Sequence, residues 1–479
     1  MINLGRGWPD PSLLPSLQSL LNLSQSEVQH QQEQALQYGV DPGNLDMLQA
    51  VIQLRQQCAS TEISADCEEG GPDTQGQETA NTSTPKITTE NIIITNGSSQ
   101  GLDMVCLRFS RPGDIILVEP LSYCYIAATL EQHGLIPLKV PSTSEQCRTS
   151  CLEESRGNLM DLDALEDALE TRRQVNGLMP KLLYLCPICH NPTATTMEEE
   201  EAKRLIAIAR KYKFKLISDE VYMFLAFNCE AVPKSLVDYE MELVEAETPI
   251  DEGDDASSFV VLALNSFSKI LGPGMRLGWI ESCSNNIKVL QESGAIVSGG
   301  GLNPLGCSLV GAYLRSGQQE TLIETLNTSY RTRCKVMMDA LELDLGALPV
   351  TVEEIFQPIV QHPCYVRVTG GFFLWLRFPN HWNLDTEKLL SVCLEKQNTK
   401  EENEDDESVS FFAGHQFSLG IPLVGDKSNG EEAATTELFV PEVANHSIRI
   451  CFAYLPEEDI TKGISYLAKT AYDMVYSSK

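Results

Sequence analysis

KLLYLCPICHNPTATTMEEEEAKRLIAIARKYKFKLISDE, residues 181–220, decides how this chain folds. It opens on the run KLLYLCP (181–187) and closes on FKLISDE (214–220). Apolar runs without alternation suit strands buried on both faces of a sheet. Between them, residues 197–213 carry acids in the first turn and bases in the last, as a helix dipole favours. Leu205, Ile206 and Ala209 line one face of that helix. Strand, helix and strand in this order form a βαβ unit, whose two strands lie parallel.

The same texture extends outward. NIIITNG (91–97), DIILVEP (114–120) and FVVLALNSFSK (259–269) are further apolar runs separated by helical patterns. Their repetition predicts an α/β fold, with a mostly parallel sheet flanked by helices. Beyond about residue 305 the pattern changes to long helices over 306–343 and strands within 364–379 and 446–454, which predicts a smaller α+β domain. Helical stretches are expected over 26–39 and 45–57. The division is therefore an N-terminal arm with part of the small domain (1–57), a polar acidic insertion (58–86), a large domain (87–304) and a C-terminal small domain (305–479). Polar insertions are expected near 398–410 and 424–436.

With 67 acidic and 35 basic residues, the net charge of −32 excludes nucleic acid as a partner. No apolar run approaches the roughly 18 residues that cross a bilayer. The opening MINLGRGWPDPSLLP lacks the basic and apolar regions of a secretory signal, so the cytoplasm is the expected compartment. Fifteen cysteines spread over a long chain read as free thiols rather than a disulfide framework. Cys186 and Cys189 form one C-x-x-C without a second pair, so no metal site is expected.

Ligands of doubly wound sheets bind outside the carboxyl ends of the strands. The residues just after the apolar runs are Gly97-Ser98-Ser99, Tyr123, Asn191, Asp219 with Tyr222, and Ser266-Phe267-Ser268-Lys269. Any one of these also serves as a turn or a helix cap. Their recurrence at one end of the sheet is the functional signal.

At these residues the chain resembles the fold type I pyridoxal-phosphate-dependent enzymes, and among them the class I/II aminotransferases. SFSKILGPGMRLGW is similar to that family's lysine signature, with Arg276 seven residues after Lys269. LISDEVY is similar to its Asp-x-x-Tyr motif, PICHNPT to its Asn-Pro-Thr motif and TNGSSQGLD to its phosphate loop. Motif order matches over most of the chain, and the branch containing 2-aminoadipate, kynurenine and aromatic aminotransferases is the nearest in kind.

The resemblance implies a cofactor, pyridoxal 5′-phosphate, held by Lys269 as a Schiff base. Lys269 would also move the substrate proton. Asp219 would keep the pyridine nitrogen protonated, since opposite charges in contact favour each other's ionised forms. Asn191 and Tyr222 would hydrogen-bond the phenolic oxygen, and Tyr123 would stack on the ring, though a plain core tyrosine fits there too. The phosphate would lie on Gly97, Ser98, Ser99, Ser266, Ser268 and Arg276. Tyr38 would reach the phosphate of a neighbouring subunit, which implies a homodimer with composite sites. Arg449 and Gly7, with Asn191, would bind the substrate carboxylate.

The activity implied is ping-pong transfer of an amino group from an L-amino acid, aromatic or 2-aminoadipate-like, to a 2-oxo acid. Other reactions of the same scaffold (C–S lysis, decarboxylation, α-oxoamine synthesis) share these residues, and a non-catalytic cofactor binder is the remaining alternative. Ala194 stands where the family commonly has glycine, and Ile188-Cys189-His190 is unusual before Asn191. His190 is expected to be a packing neighbour. SGGGLNPLG (298–306) is expected to be an active-site or interface loop, with Trp8, Leu13, Leu14 and Arg6 near the side-chain pocket.

Overall fold

The computed structural model describes residues 1–23, 35–60, 87–142, 160–229, 232–246, 259–346, 368–378, 382–395, 408–422, 444 and 446–476. The expected insertions at 58–86 and 424–436 lie almost wholly outside these residues, as does most of the helical stretch expected over 26–39.

The strands in chain order are β1 (Ile2–Asn3), β2 (Ile92–Thr95), β3 (Ile115–Val118), β4 (Ile136–Lys139), β5 (Leu182–Leu185), β6 (Lys215–Asp219) and β7 (Val261–Ser266). They continue as β8 (Gly278–Glu281), β9 (Phe373–Arg377), β10 (Val409–Ser410), β11 (Phe412–Ala413), β12 (Ile421–Pro422) and β13 (Ser447–Cys451). An eight-stranded sheet runs β12-β4-β3-β5-β6-β7-β8-β2. Its neighbours pair in parallel except at β8, which is antiparallel to both β7 and β2. The five apolar runs of the sequence are β2, β3, β5, β6 and β7. The unit over 181–220 is β5, the helix Glu199–Tyr212 and β6. That helix buries Leu205, Ile206 and Ala209 and ends on Lys213 in the left-handed region.

Two apolar layers sandwich the sheet. One holds Leu183, Leu185, Leu216, Val261 and Ala263, and the other Tyr184, Ile217, Leu262 and Leu264. Alternate residues of each strand thus enter opposite layers, as the twofold strand repeat requires.

The C-terminal region forms a second sheet, β11-β13-β9, with the helix Thr386–Glu395 against β11 and the helices Gln318–Gly346 and Glu457–Tyr476 packed on each other. One finding differs from the sequence reading. Residues 409–410, assigned to an insertion, form β10 and pair in parallel with β1, which ties the N-terminal segment to this region. The long helices expected over 306–343 are Pro304–Arg315 and Gln318–Gly346, separated at Gly317 with φ +75°.

A buried charge cluster holds the helix Leu45–Ser60 to the large sheet. Arg55 contacts Asp238 at 2.9 Å and Glu281 at 3.1 Å, and the Glu281 side chain is fully buried. Burial pushes Glu281 up, against the pull of Arg55, and pushes Glu220 to about 7. Removing the single cation of such a cluster leaves buried carboxylates uncompensated, at a cost of about 3–5 kcal/mol. Arg55→Ala is expected to lower the urea midpoint accordingly. Losing Arg55 raises the folded-state pKa of Glu220 further, so the deficit should be larger above about pH 7 than below it. An equal deficit at pH 6 and pH 9 would remove the electrostatic account.

Candidate active site

The C-terminal ends of β2, β5, β6 and β7 open on one side of the sheet, and the expected residues collect there. Because β8 runs in reverse, its first residue, Gly278, pairs with both Thr95 and Ser266. This register brings Arg276, just before β8, to the loops that follow β2 and β7.

Gly97 precedes the helix Ser98–Phe109 with φ +90°, where a side chain is strained. A Cβ there would also sit 3.2 Å from the Arg276 Nη2. Arg276 itself adopts φ +46° and donates to the carbonyls of Asn96 and Pro273, both at 3.2 Å. Ser266 Oγ bridges to Ser268 Oγ at 2.9 Å and accepts from the Ser268 amide at 3.1 Å. Helix N-terminus, hydroxyls and guanidinium together form an anion cradle.

Asp219 ends β6 and is held by the Tyr184 hydroxyl, which donates to Oδ2 at 2.6 Å. Burial pushes the carboxyl up to about 6, against the pull of Tyr184 and Lys269. Its Oδ1 is buried with no protein hydrogen-bond partner among the described residues. A carboxylate of this kind fits a cationic ring N–H, which would supply the missing donor and favour the ionised form.

Lys269 Nζ donates to the Gly7 carbonyl at 3.1 Å and lies 5.7 Å from the Tyr222 ring centre and 5.3 Å from that of Phe372. Burial, with a smaller push from Arg449, lowers it to about 8 against the opposing pull of Cys451 and Asp219. Tyr222 is buried, its hydroxyl is pushed well up by desolvation, and its ring packs edge-on against Phe372 and Phe373. Tyr123 packs edge-on against Tyr125 at 5.5 Å and is pushed up to about 12 by burial and by Asp219.

Arg449, on β13, is 3% exposed. Its Nη1 donates to Asn191 Oδ1 at 2.8 Å and its Nη2 to the Gly5 carbonyl at 3.1 Å. The guanidinium lies 3.9 Å from the Phe373 ring centre, 4.5 Å from Phe412 and 5.0 Å from Phe417. No carboxylate partners it among the described residues. A Cβ at Gly7 would meet the Phe373 ring at 2.7 Å, so the backbone approaches this pocket only as glycine.

Tyr38 stands apart, 77% exposed, on a segment that passes against Gly300 and Gly301. The loop expected over 298–306 is thus the neighbour of Tyr38. His190 is buried beside Asn191, with Nδ1 2.7 Å from Thr193 Oγ1 and Nε2 3.3 Å from Glu119. Cys186 and Cys189 are buried free thiols pushed up by desolvation. The sequence reading missed Tyr184, Glu119 and the rings around Arg449. Tyr184 lies inside an apolar run where only its distant partner reveals it.

These residues fit pyridoxal phosphate: an amine lowered toward neutrality, a buried carboxylate oxygen lacking a donor, and an anion cradle. The comparisons agree. The chain is 25% identical over 470 residues to aromatic-amino-acid aminotransferase 1 of Thermococcus litoralis, covering 98% of this chain and 88% of the relative. It is 27% identical over 382 residues to 2-aminoadipate transaminase of Thermus thermophilus, covering 79% and 75%. The fold matches Pyrococcus horikoshii kynurenine aminotransferase with a TM-score of 0.68 at 22% identity, covering 99% and 91%. The family model for aminotransferase class I and II matches residues 18–399. That span covers most of the chain and contains Lys269, Asp219 and Arg276, so this chain belongs to the class I and II aminotransferases and uses pyridoxal phosphate as its cofactor.

Proposed function

We propose that this enzyme transfers the amino group of an L-amino acid with a long side chain, aromatic or 2-aminoadipate-like, to a 2-oxo acid, as a cytoplasmic homodimer. Transamination follows from the family. The relatives named for aromatic amino acids and 2-aminoadipate support the substrate class, as do Trp8 and Tyr454 beside Gly7. The observation that carries the residue roles is the meeting of Lys269 and Arg449 on one backbone segment, at Gly7 and Gly5.

When bound, pyridoxal phosphate supplies the carbonyl carbon that takes the amino group and the ring that spreads the electron pair left on the substrate's Cα. Arg449 binds the substrate carboxylate as a two-pronged donor, with Asn191 and the backbone at Gly7 fixing its orientation. Lys269 Nζ, about half neutral near pH 8, takes the Cα proton and returns it to the other side of the exchange. Asp219, oriented by Tyr184, holds the proton of the ring nitrogen. Tyr222 and Asn191 serve the phenolic oxygen, and Tyr123 covers the ring. Gly97, Ser98, Ser99, Ser266, Ser268 and Arg276 anchor the phosphate. Phe372 and Phe373 keep water from the amine.

Tyr38 and its neighbours Leu36 and Val40, 77%, 83% and 70% exposed, form the face that a second copy covers, with Tyr38 completing the partner's phosphate site. The described cysteines are all free thiols, which agrees with a reducing compartment.

Four measurements test this reading. Arylation of the apo-protein should show one lysine side chain titrating at about 8, well below the roughly 10.4 of a free lysine. Lys269→Ala should remove that amine, the visible lysine-linked cofactor band and nearly all turnover; survival of the band would exclude Lys269 as the tether. Tyr184→Phe removes a hydrogen bond to a charged group and should weaken cofactor retention about 10-fold in equilibrium dialysis, with unchanged circular dichroism. Unaltered retention would assign Tyr184 to packing alone. Sedimentation should give twice 53.0 kDa. A monomer retaining full activity would overturn the composite site.

A further inference from the structure

We propose that His190, paired with Glu119, is a positioning residue that holds Asn191 at the angle amino-group transfer needs. The inference rests on the role proposed above for Asn191 and adds the residues that keep it in place.

The turn that presents Asn191 runs against its own backbone preference. Cys189 and Ala194, on either side of Asn191, take φ +47° and +60°. Residues with a side chain disfavour this left-handed region and persist in it only where their surroundings hold them. Alanine at 194, where the family commonly has glycine, adds to what must be held. The His190 amide donates to the Thr195 carbonyl at 2.7 Å, and the His190 carbonyl accepts from the Ala194 amide at 2.6 Å. The backbone of His190 thus closes the turn in both directions.

Its imidazole is held from two sides. The Thr193 amide donates to Nδ1 at 3.3 Å, and Thr193 Oγ1 lies 2.7 Å from the same nitrogen and 2.8 Å from Thr195 Oγ1. An amide N–H only donates, so Nδ1 accepts and the ring proton sits on Nε2. Nε2 is buried with no hydrogen bond to any described residue, and the Glu119 carboxylate, 3.3 Å away, is the acceptor in reach. The same Glu119 oxygen accepts from the Cys186 amide at 2.9 Å. Glu119 follows β3 and Cys186 follows β5, which pair in parallel. One carboxylate therefore fixes the turn at its start, through Cys186, and beside Asn191, through His190.

Asn191 serves two partners and depends on this restraint. Its Oδ1 accepts from Arg449 Nη1 at 2.8 Å, which leaves the amide nitrogen as the donor for the phenolic oxygen. A turn that relaxed would misdirect both groups at once. Packing alone is satisfied by any side chain of similar volume, whereas partners on both ring nitrogens suit an imidazole.

The test uses holoenzyme and the pH midpoint of its visible lysine-linked cofactor band. Hydrogen bonds to the phenolic oxygen favour negative charge there and so lower that midpoint. His190→Leu keeps the bulk and removes both polar contacts; it should raise the midpoint by about one pH unit, the scale of one hydrogen bond to a charged group. His190→Gln, whose amide nitrogen can donate to Glu119, should recover most of the shift. Thr193→Val should raise the midpoint by less, and it carries the test if His190→Leu fails to fold. Asn191→Ala should raise the midpoint by itself, and His190→Leu added to it should change nothing further. An unmoved midpoint in His190→Leu, or in Thr193→Val where that variant stands in, would overturn the proposal, as would a shift that persists undiminished without Asn191. An unmoved midpoint in Asn191→Ala alone would refute the role of Asn191 and the proposal with it.

Discussion

A guanidinium buried with no carboxylate partner among the described residues is the constraint around which this site is arranged. Arg449 is 3% exposed, and burying such an ion costs several kcal/mol unless its donors and faces are occupied. Three phenylalanines cover it, Asn191 takes one nitrogen and the Gly5 carbonyl takes another. Those partners come from β9, the segment around β11, the loop after β5 and the chain's first residues. Satisfying one cation therefore joins both sheets and the N-terminal segment, and any carboxylate that enters displaces neutral acceptors for a charged one.

Strand direction does the rest of the positioning. In a sheet of parallel strands the C-terminal ends share one edge, which places Asp219 at the end of β6 and Lys269 after β7. Arg276 would lie at the opposite edge if β8 ran with the others. Its reversal, with Gly278 opposite both Thr95 and Ser266, returns the chain to that edge and puts the guanidinium beside Gly97. One antiparallel strand thus supplies the cation of the anion cradle.

This also explains what was legible in the sequence. β5, the helix Glu199–Tyr212 and β6 follow from local pattern, because strands buried on both faces and a helix with ordered charges carry their own signature. β8 does not: GWIE contains a glutamate, and a buried Glu281 is tolerable through Arg55, 226 residues away, and the Trp279 indole N–H. Tyr184 reads as one more apolar residue until Asp219 is placed beside it. Val409 and Ser410 lie in a polar stretch and become a strand only because β1 is there to pair with. Lys269, Asp219, Asn191 and Arg276 were legible through motif spacing, whereas the rings around Arg449 meet only in three dimensions.

Burial acts on two neighbouring cations here with different results. Desolvation lowers both Lys269 and Arg449. A lysine starts near 10.4, so a fall to about 8 yields a substantial fraction of neutral amine close to physiological pH. A guanidinium starts so high that the same pressure leaves it charged. Arg449's persistent charge also contributes to holding Lys269 down, while Asp219, raised to about 6, is still largely ionised at neutral pH and limits that fall. One desolvated pocket therefore contains a base that can accept a proton and a cation that cannot lose one. Under the roles proposed for Lys269 and Arg449, exchanging the two residue types would leave a permanently charged group at the base's position and a titrating one at the carboxylate's.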